Sequence, residues 1–157
     1  AGIPTAELRG ALRECRSTLG MPGPHAVLLG AVGLDAFRFL EGRLVQVMPL
    51  EGASRGPCVA ELADALLAWA VEGGHPNPAC VHALLTAYQD RRPLRPVEAR
   101  LLLPWMRVAA LKDVLLALRA YVLLQGGAVP AGFRDPGTPW KVYTALRRLR
   151  SRALVPA

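Results

Sequence analysis

The sequence predicts a mainly α-helical fold with a small antiparallel β-hairpin element near its start. Beyond residue 57, apolar residues recur with the three- and four-residue spacing of helices. Before that point, short runs of strand type flank the turn residues Glu41 and Gly42. The chain has 157 residues, 52% of them hydrophobic, which is enough for one core without disulfides or metals. Because so small a sheet cannot organise that core, we expect the helices to pack chiefly on one another.

The whole chain, residues 1–157, is expected to form one domain. It divides into a helix within 1–20, the small β element within 25–50 and a helical bundle over 58–153. Within the β element, three strands are predicted from their apolar runs, at 25–30, 36–40 and 43–48.

Capping residues indicate where several helices begin and end. Thr5 is a candidate N-cap of the first helix, and Gly20 is its candidate stop. Asn77-Pro78 and Thr138-Pro139 each offer an N-cap followed by proline at the first helical position. The helices expected in the bundle cover 58–72, 78–90, a short stretch from Pro96, 104–125 and a last segment from Pro139.

Charge is distributed unevenly along the chain. The net charge is +7, yet residues 1–90 hold six basic and nine acidic side chains, whereas residues 91–157 hold thirteen basic and three acidic ones. A nucleic-acid or acidic partner is therefore possible but weakly indicated, because arginine-rich segments are more often solvated faces. The candidate anion or partner surface consists of four arginines near the end of the chain, Arg147, Arg148, Arg150 and Arg152.

The sequence indicates no metal site and no membrane segment. Three scattered cysteines are typical of a cytoplasmic protein without a disulfide framework, and residues 1–16 do not resemble a secretory signal. His75, Cys80 and His82 lack a fourth ligand for zinc. The apolar window 104–125 contains four charged residues, so it is predicted to be a buried core helix.

Two neighbouring segments carry a family pattern. Residues 29–39 read LGAVGLDAFRF, residues 43–57 read RLVQVMPLEGASRGP, and residues 60–66 read AELADAL. Together they resemble the catalytic half of the aminoglycoside phosphotransferase and type II homoserine kinase family. That family reads H-G-D-L-x-x-x-N-x-L-F, then V-I-D-F-E-x-A-x-x-G-P, then Y-D-L-A-x-A-L.

Later stretches extend the resemblance over about residues 5–150. Residues 84–96 (LLTAYQDRRPLRP) and 104–111 (PWMRVAAL) are similar to further motifs of the same family. The resemblance implies the C-terminal, helical lobe of a protein-kinase-like fold, here without the N-terminal β lobe.

The polar residues of the family motifs are missing from this sequence. Aligned through the shared glycine and phenylalanine, Ala31 occupies the position of the catalytic aspartate, and Ala36 and Pro49 occupy those of the metal ligands. Neither alanine nor proline offers a side-chain oxygen to a hydroxyl proton or to Mg²⁺. We therefore expect no catalytic residue and no enzymatic activity of this chain. Asp35, Glu51 and Arg55 are candidates for a remnant of the cleft.

No cofactor is expected either. The sequence contains no phosphate-binding G-x-x-x-x-G-K-[ST] loop, and its two lysines, Lys112 and Lys141, lie far along the chain.

The function predicted from the sequence is that of an inactive phosphotransferase-like scaffold or interaction module. The expected partner is another protein or a second copy of the chain. The candidate interface is the apolar hairpin, represented by Phe37, Phe39, Val45 and Val47. Three alternatives stay open: a basic nucleic-acid binder, one piece of a split small-molecule kinase, and a monomer whose first helix covers the hairpin.

Overall fold

The computed structural model describes residues 2–30, 32–48, 52–123, 135–150 and residue 154. In these ranges there are five α-helices: α1 (Thr5–Leu19), α2 (Cys58–Trp69), α3 (Pro78–Gln89), α4 (Pro96–Leu123) and α5 (Gly137–Arg148). There are also six short strands: β1 (His25–Leu28), β2 (Phe37–Leu40), β3 (Arg43–Val47), β4 (Ser54–Pro57), β5 (Val71–Glu72) and β6 (His75–Pro76). The prediction of a mainly helical fold with a small antiparallel element is confirmed.

The core is built around α4. Helices α1, α2 and α5 all pack against it, so the helices do pack chiefly on one another. Leu102 and Met106 of α4 are fully buried, as are Leu66 of α2 and Tyr143 of α5. The core helix predicted over 104–125 is the C-terminal part of this central element, and it is buried mainly in its first half. Apolar side chains in its last described turns are exposed, among them Leu116, Val122 and Leu123.

Helix α4 differs from the prediction, because one helix of 28 residues replaces the two that were expected on either side of Pro104. A proline inside a helix removes a hydrogen bond and costs about 3 kcal/mol. Its neighbours Leu102, Leu103 and Met106 are buried, and burying each such side chain contributes about 2 kcal/mol. Tertiary packing therefore outweighs the local signal.

Helix ends agree only partly with the predicted caps. The predicted N-cap of α3, Asn77, is confirmed. Its side-chain oxygen accepts hydrogen bonds from the main-chain nitrogens of Ala79 and Cys80 at 3.0 and 3.3 Å. Thr5 is instead the first helical residue, with Pro4 at the N-cap. Likewise α5 begins before Thr138, with Pro136 at the cap position. A proline there presets φ for entry into a helix, which displaces the cap by one or two positions.

Two tight turns organise the strands. The turn at Glu41 and Gly42 between β2 and β3 is confirmed, and both residues have positive φ, 50° and 75°, as a type I′ hairpin requires. A second such turn, Gly73-Gly74, joins β5 to β6. For this reason α2 ends at Trp69 rather than at residue 72.

Strand β4 was not predicted. It pairs antiparallel with β1, from His25 opposite Pro57 to Leu28 opposite Ser54. Glycine and proline are depleted in strands, so the sequence of β4 carries no strand signal of its own.

Candidate functional site

The strand pairing brings two loops together. Because β1 pairs with β4 and β2 with β3, the loop before β2 and the loop after β3 lie side by side. The main-chain nitrogen of Met48 donates a hydrogen bond to the carbonyl oxygen of Ala36 at 2.8 Å. Gly30 has φ +81°, and a Cβ atom there would overlap the carbonyl group of Gly52. This close approach explains why only glycine fits at position 30.

Ala36, at the expected metal-ligand position, lies at this meeting point. Its side chain is a buried methyl group, and its carbonyl oxygen is already bonded to Met48. Its side chain therefore offers no oxygen to a cation. Ala31, Pro49 and Glu51, the other predicted positions in these loops, lie outside the described residues.

Asp35 and Arg55, two of the residues predicted for a remnant cleft, do not both line one described groove. Asp35 is exposed, with a carboxylate oxygen close over Gly33, and it lines a wide groove. Arg55 is exposed in β4, opposite Val27, and is not among the residues that line that groove. The remnant cleft stays a prediction.

Helix α2 anchors the loop that precedes β2. The carboxylate of Glu61 accepts a hydrogen bond from the main-chain nitrogen of Gly30 at 2.9 Å. The indole nitrogen of Trp69 donates one to the carbonyl oxygen of Val32 at 2.8 Å. Sequence analysis did not single out either side chain, although Glu61, Ala65 and Trp69 follow one i, i+4 row of the helix, which places them on the same face.

The hairpin turns an apolar face towards α2. Phe37 lies opposite Val47, Phe39 lies opposite Leu44, and a register shift separates the two pairs. Residues directly opposite each other project on the same side of a sheet, and so do alternate residues of one strand. Phe37 and Phe39 meet the ring of Trp69 edge to face, at 5.7 and 6.2 Å between ring centroids.

A cavity of about 510 Å³ lies between this face and helices α2 and α3. We call it the hairpin pocket. Its walls are largely apolar, with a few polar side chains. It is lined by Ala26, Val27, Leu28, Val32, Phe37, Phe39, Leu44, Cys58, Glu61, Leu62, Ala65, Trp69, Leu84, Tyr88 and Arg92.

Much of the predicted interface is exposed. Val27 is 80% exposed, Phe39 55% and Val45 58%, and Val47 is also exposed. Phe37 is only partly accessible, because it packs on Trp69. Helix α1 packs on α4 and leaves these hairpin side chains uncovered, so a first helix folded over the hairpin is not what the structure contains.

A charged cluster borders the hairpin pocket on the side of α3. Arg92 donates one hydrogen bond to the hydroxyl oxygen of Tyr88 at 2.8 Å and another to Glu98 at 2.7 Å. Glu98 is fully buried and also accepts a bond from the main-chain nitrogen of Arg95 at 3.1 Å. Burial raises the pKa of Tyr88, and the hydrogen bond to Glu98 raises the pKa of Arg92. At neutral pH, Tyr88 is therefore a neutral hydroxyl and Arg92 a cation.

A second, wider groove of about 1110 Å³ lies between the loop at Gly33 and helices α4 and α5. Both lysines of the chain, Lys112 and Lys141, line it. Lys112 forms an ion pair with Asp64 at 2.7 Å, so much of the charge in this groove is compensated locally.

The arginines near the end of the chain are not all free to meet a partner. Arg147 forms an ion pair with Glu14 at 3.0 Å. Arg148 and Arg150 are exposed, and Arg152 lies outside the described residues. Three of the four predicted arginines are thus exposed in the part of the chain that the structure describes, and one of these three, Arg147, is already paired with a carboxylate.

Within the described ranges, no group of three or more His, Cys, Asp or Glu side chains is placed to hold a metal ion. No described helix is both long and apolar enough to cross a bilayer. Neither a scan against protein-family models nor a search of curated proteins finds a match to this chain. The family resemblance thus stays a prediction.

Proposed function

We propose that this chain is an inactive phosphotransferase-like domain that serves as an interaction module. The proposal rests on the environment of Ala36. At the point where the two loops meet, the position that the resemblance assigns to a metal ligand presents a buried methyl group and a carbonyl oxygen already bonded to Met48. Phosphoryl transfer depends on metal ions and on a positioned carboxylate, and neither Ala31 nor Pro49 supplies an oxygen ligand in its side chain.

The apolar hairpin supports the second half of the proposal. Phe39 and Val45 are more than half exposed on the paired strands β2 and β3, and Val27 is 80% exposed on β1. Soluble proteins rarely leave contiguous apolar patches beyond a few hundred Å² in water unless the patch is an interaction site. The partner is a second copy of the chain or another protein that covers this surface. We also propose a cytoplasmic location, because the three cysteines are all free thiols.

Catalytic inactivity is tested by thermal unfolding in millimolar Mg-ATP. We expect no saturable stabilisation, since a ligand that binds only the folded state must raise its melting temperature. Asp35→Asn is the matched variant, because Asp35 is the exposed carboxylate nearest to Ala36 in sequence. A saturable rise that disappears in Asp35→Asn would indicate a compensated metal site and would refute the proposal.

The interaction surface is tested by sedimentation and solubility at micromolar concentration. Val45→Asp should reduce self-association or raise solubility, because a carboxylate replaces an exposed apolar side chain at the surface. Leu19→Asp is the control, because Leu19 is 59% exposed on α1, away from the hairpin. If the parent chain is a monomer and both variants leave its solubility and stability unchanged, the hairpin is not an interaction surface.

A further inference from the structure

The hairpin pocket has the dimensions of a small-molecule site. Its volume of about 510 Å³ falls in the range of about 300–1000 Å³ that is typical of such sites. Its body is apolar and partly aromatic, with Phe37, Phe39 and Trp69 on one side and Leu62 and Leu84 on the other. Such walls favour an apolar body in the ligand.

Hydrogen-bond donors stand at the α3 side of the pocket. Tyr88 accepts a bond from Arg92, and among the described residues none accepts the proton of its own hydroxyl group. Arg92 uses its two terminal nitrogens for Tyr88 and Glu98. A guanidinium group has five N–H donors, so Arg92 retains donors beyond these two bonds. Buried Glu98 holds the guanidinium group of Arg92 in position and leaves some of its N–H donors unused.

The loop side of the pocket has the opposite polarity. Glu61 supplies a carboxylate there, and one of its oxygens accepts the N–H of Gly30 at 2.9 Å. A second carboxylate beside it would be repelled. Arg92 is already paired with Glu98, so the unused donors of Tyr88 and Arg92, rather than an excess of positive charge, favour an anionic ligand at the α3 side.

We propose that the hairpin pocket binds an amphiphile with an apolar body and a single carboxylate group, and that this carboxylate accepts hydrogen bonds from Tyr88 and Arg92. The proposal goes beyond the interaction function and does not depend on it, because it rests on the pocket and its donors rather than on the missing catalytic residues.

The head-group preference is tested with three probes that share a decyl chain: decanoate, decyltrimethylammonium and decanol. Binding to the full chain is measured by calorimetry below the micellar concentration of each probe. We expect one decanoate per chain, bound at least about tenfold more tightly than the other two, since hydrogen bonds to a charged group are stronger than neutral ones. Equal affinity for all three probes, or no binding of decanoate, would overturn the proposal.

Two pairs of variants locate the site. Tyr88→Phe keeps the ring and removes the hydroxyl donor, so it should weaken decanoate binding about tenfold, whereas Tyr121→Phe, on α4 and outside the pocket, should not. Ala65→Leu adds volume inside the pocket and should abolish binding, whereas Ala87→Leu, on the exposed face of α3, should not. Should Ala65→Leu prevent folding, the Tyr88→Phe comparison still decides. Decanoate binding that is unchanged by Tyr88→Phe contradicts the assigned position of the carboxylate.

Discussion

Replacing Arg92 by methionine should destabilise the fold, because it removes the cationic partner of the buried carboxylate of Glu98. Glu98 is 0% exposed, and it accepts hydrogen bonds from Arg92 at 2.7 Å and from the main chain of Arg95 at 3.1 Å. Arg92→Met keeps much of the apolar stem but leaves a buried carboxylate with a single main-chain donor. Breaking a fully buried pair costs about 3–5 kcal/mol. Because the side chain of Arg92 is 35% exposed, water screens the pair in part, and the expected cost is lower, about 2 kcal/mol.

Urea unfolding followed by circular dichroism measures the loss of stability. Glu98→Gln is the control, because it keeps the shape of the side chain and removes its charge. It should cost about 1 kcal/mol. If Arg92→Met costs less than about 1 kcal/mol, the pair does not stabilise this junction between α3 and α4.

Three further predictions concern the loop, the core and the arginines. Trp69→Phe should cost about 1 kcal/mol, because the indole bond to Val32 is lost, and hydrogen exchange should quicken in the loop before β2 and not in α5. Burial raises the pKa of Tyr143 above its ordinary value of 10.0, so the unfolded chain ionises first and stability should decline as pH rises above about 10; Tyr143→Phe should flatten that decline in alkaline unfolding curves. Arg148→Glu with Arg150→Glu should change nucleic-acid binding little at physiological salt, since only several phosphate contacts produce a steep salt dependence, and a large loss in a filter-binding assay would favour the nucleic-acid alternative.

Elements with local chemistry could be predicted from the sequence. The side chain of Asn77 satisfies main-chain donors two and three residues away, and Glu41-Gly42 adopts the positive φ values that its turn requires. The helix break predicted at Pro104 was wrong because the outcome there depends on distant contacts. The local cost of the proline is offset by leucines and a methionine buried against other elements. Strand β4 was missed because its pairing partner lies about thirty positions away in β1.

The candidate site was only partly predictable. Phe37 and Phe39 could be recognised as apolar residues of a hairpin, but the pocket beneath them also depends on Trp69 in α2 and Tyr88 in α3. No periodicity links residues so far apart in the chain. The register shift beside Arg38, which brings two apolar pairs to one face, has no clear sequence signal either.

The loop before β2 remains firmly anchored although Ala36 supplies no metal ligand. The bonds from Gly30 to Glu61 and from Trp69 to Val32 contribute about 1 kcal/mol each, and both constrain main-chain geometry rather than a reactive group. The Trp69 ring that donates one of these bonds also supports Phe37 and Phe39. Loop and pocket therefore share one support, so a shift of the loop must alter the aromatic wall of the pocket. Through this coupling, the geometry of the loop shapes both the surface that we propose for interaction and the pocket that we propose for an amphiphilic carboxylate.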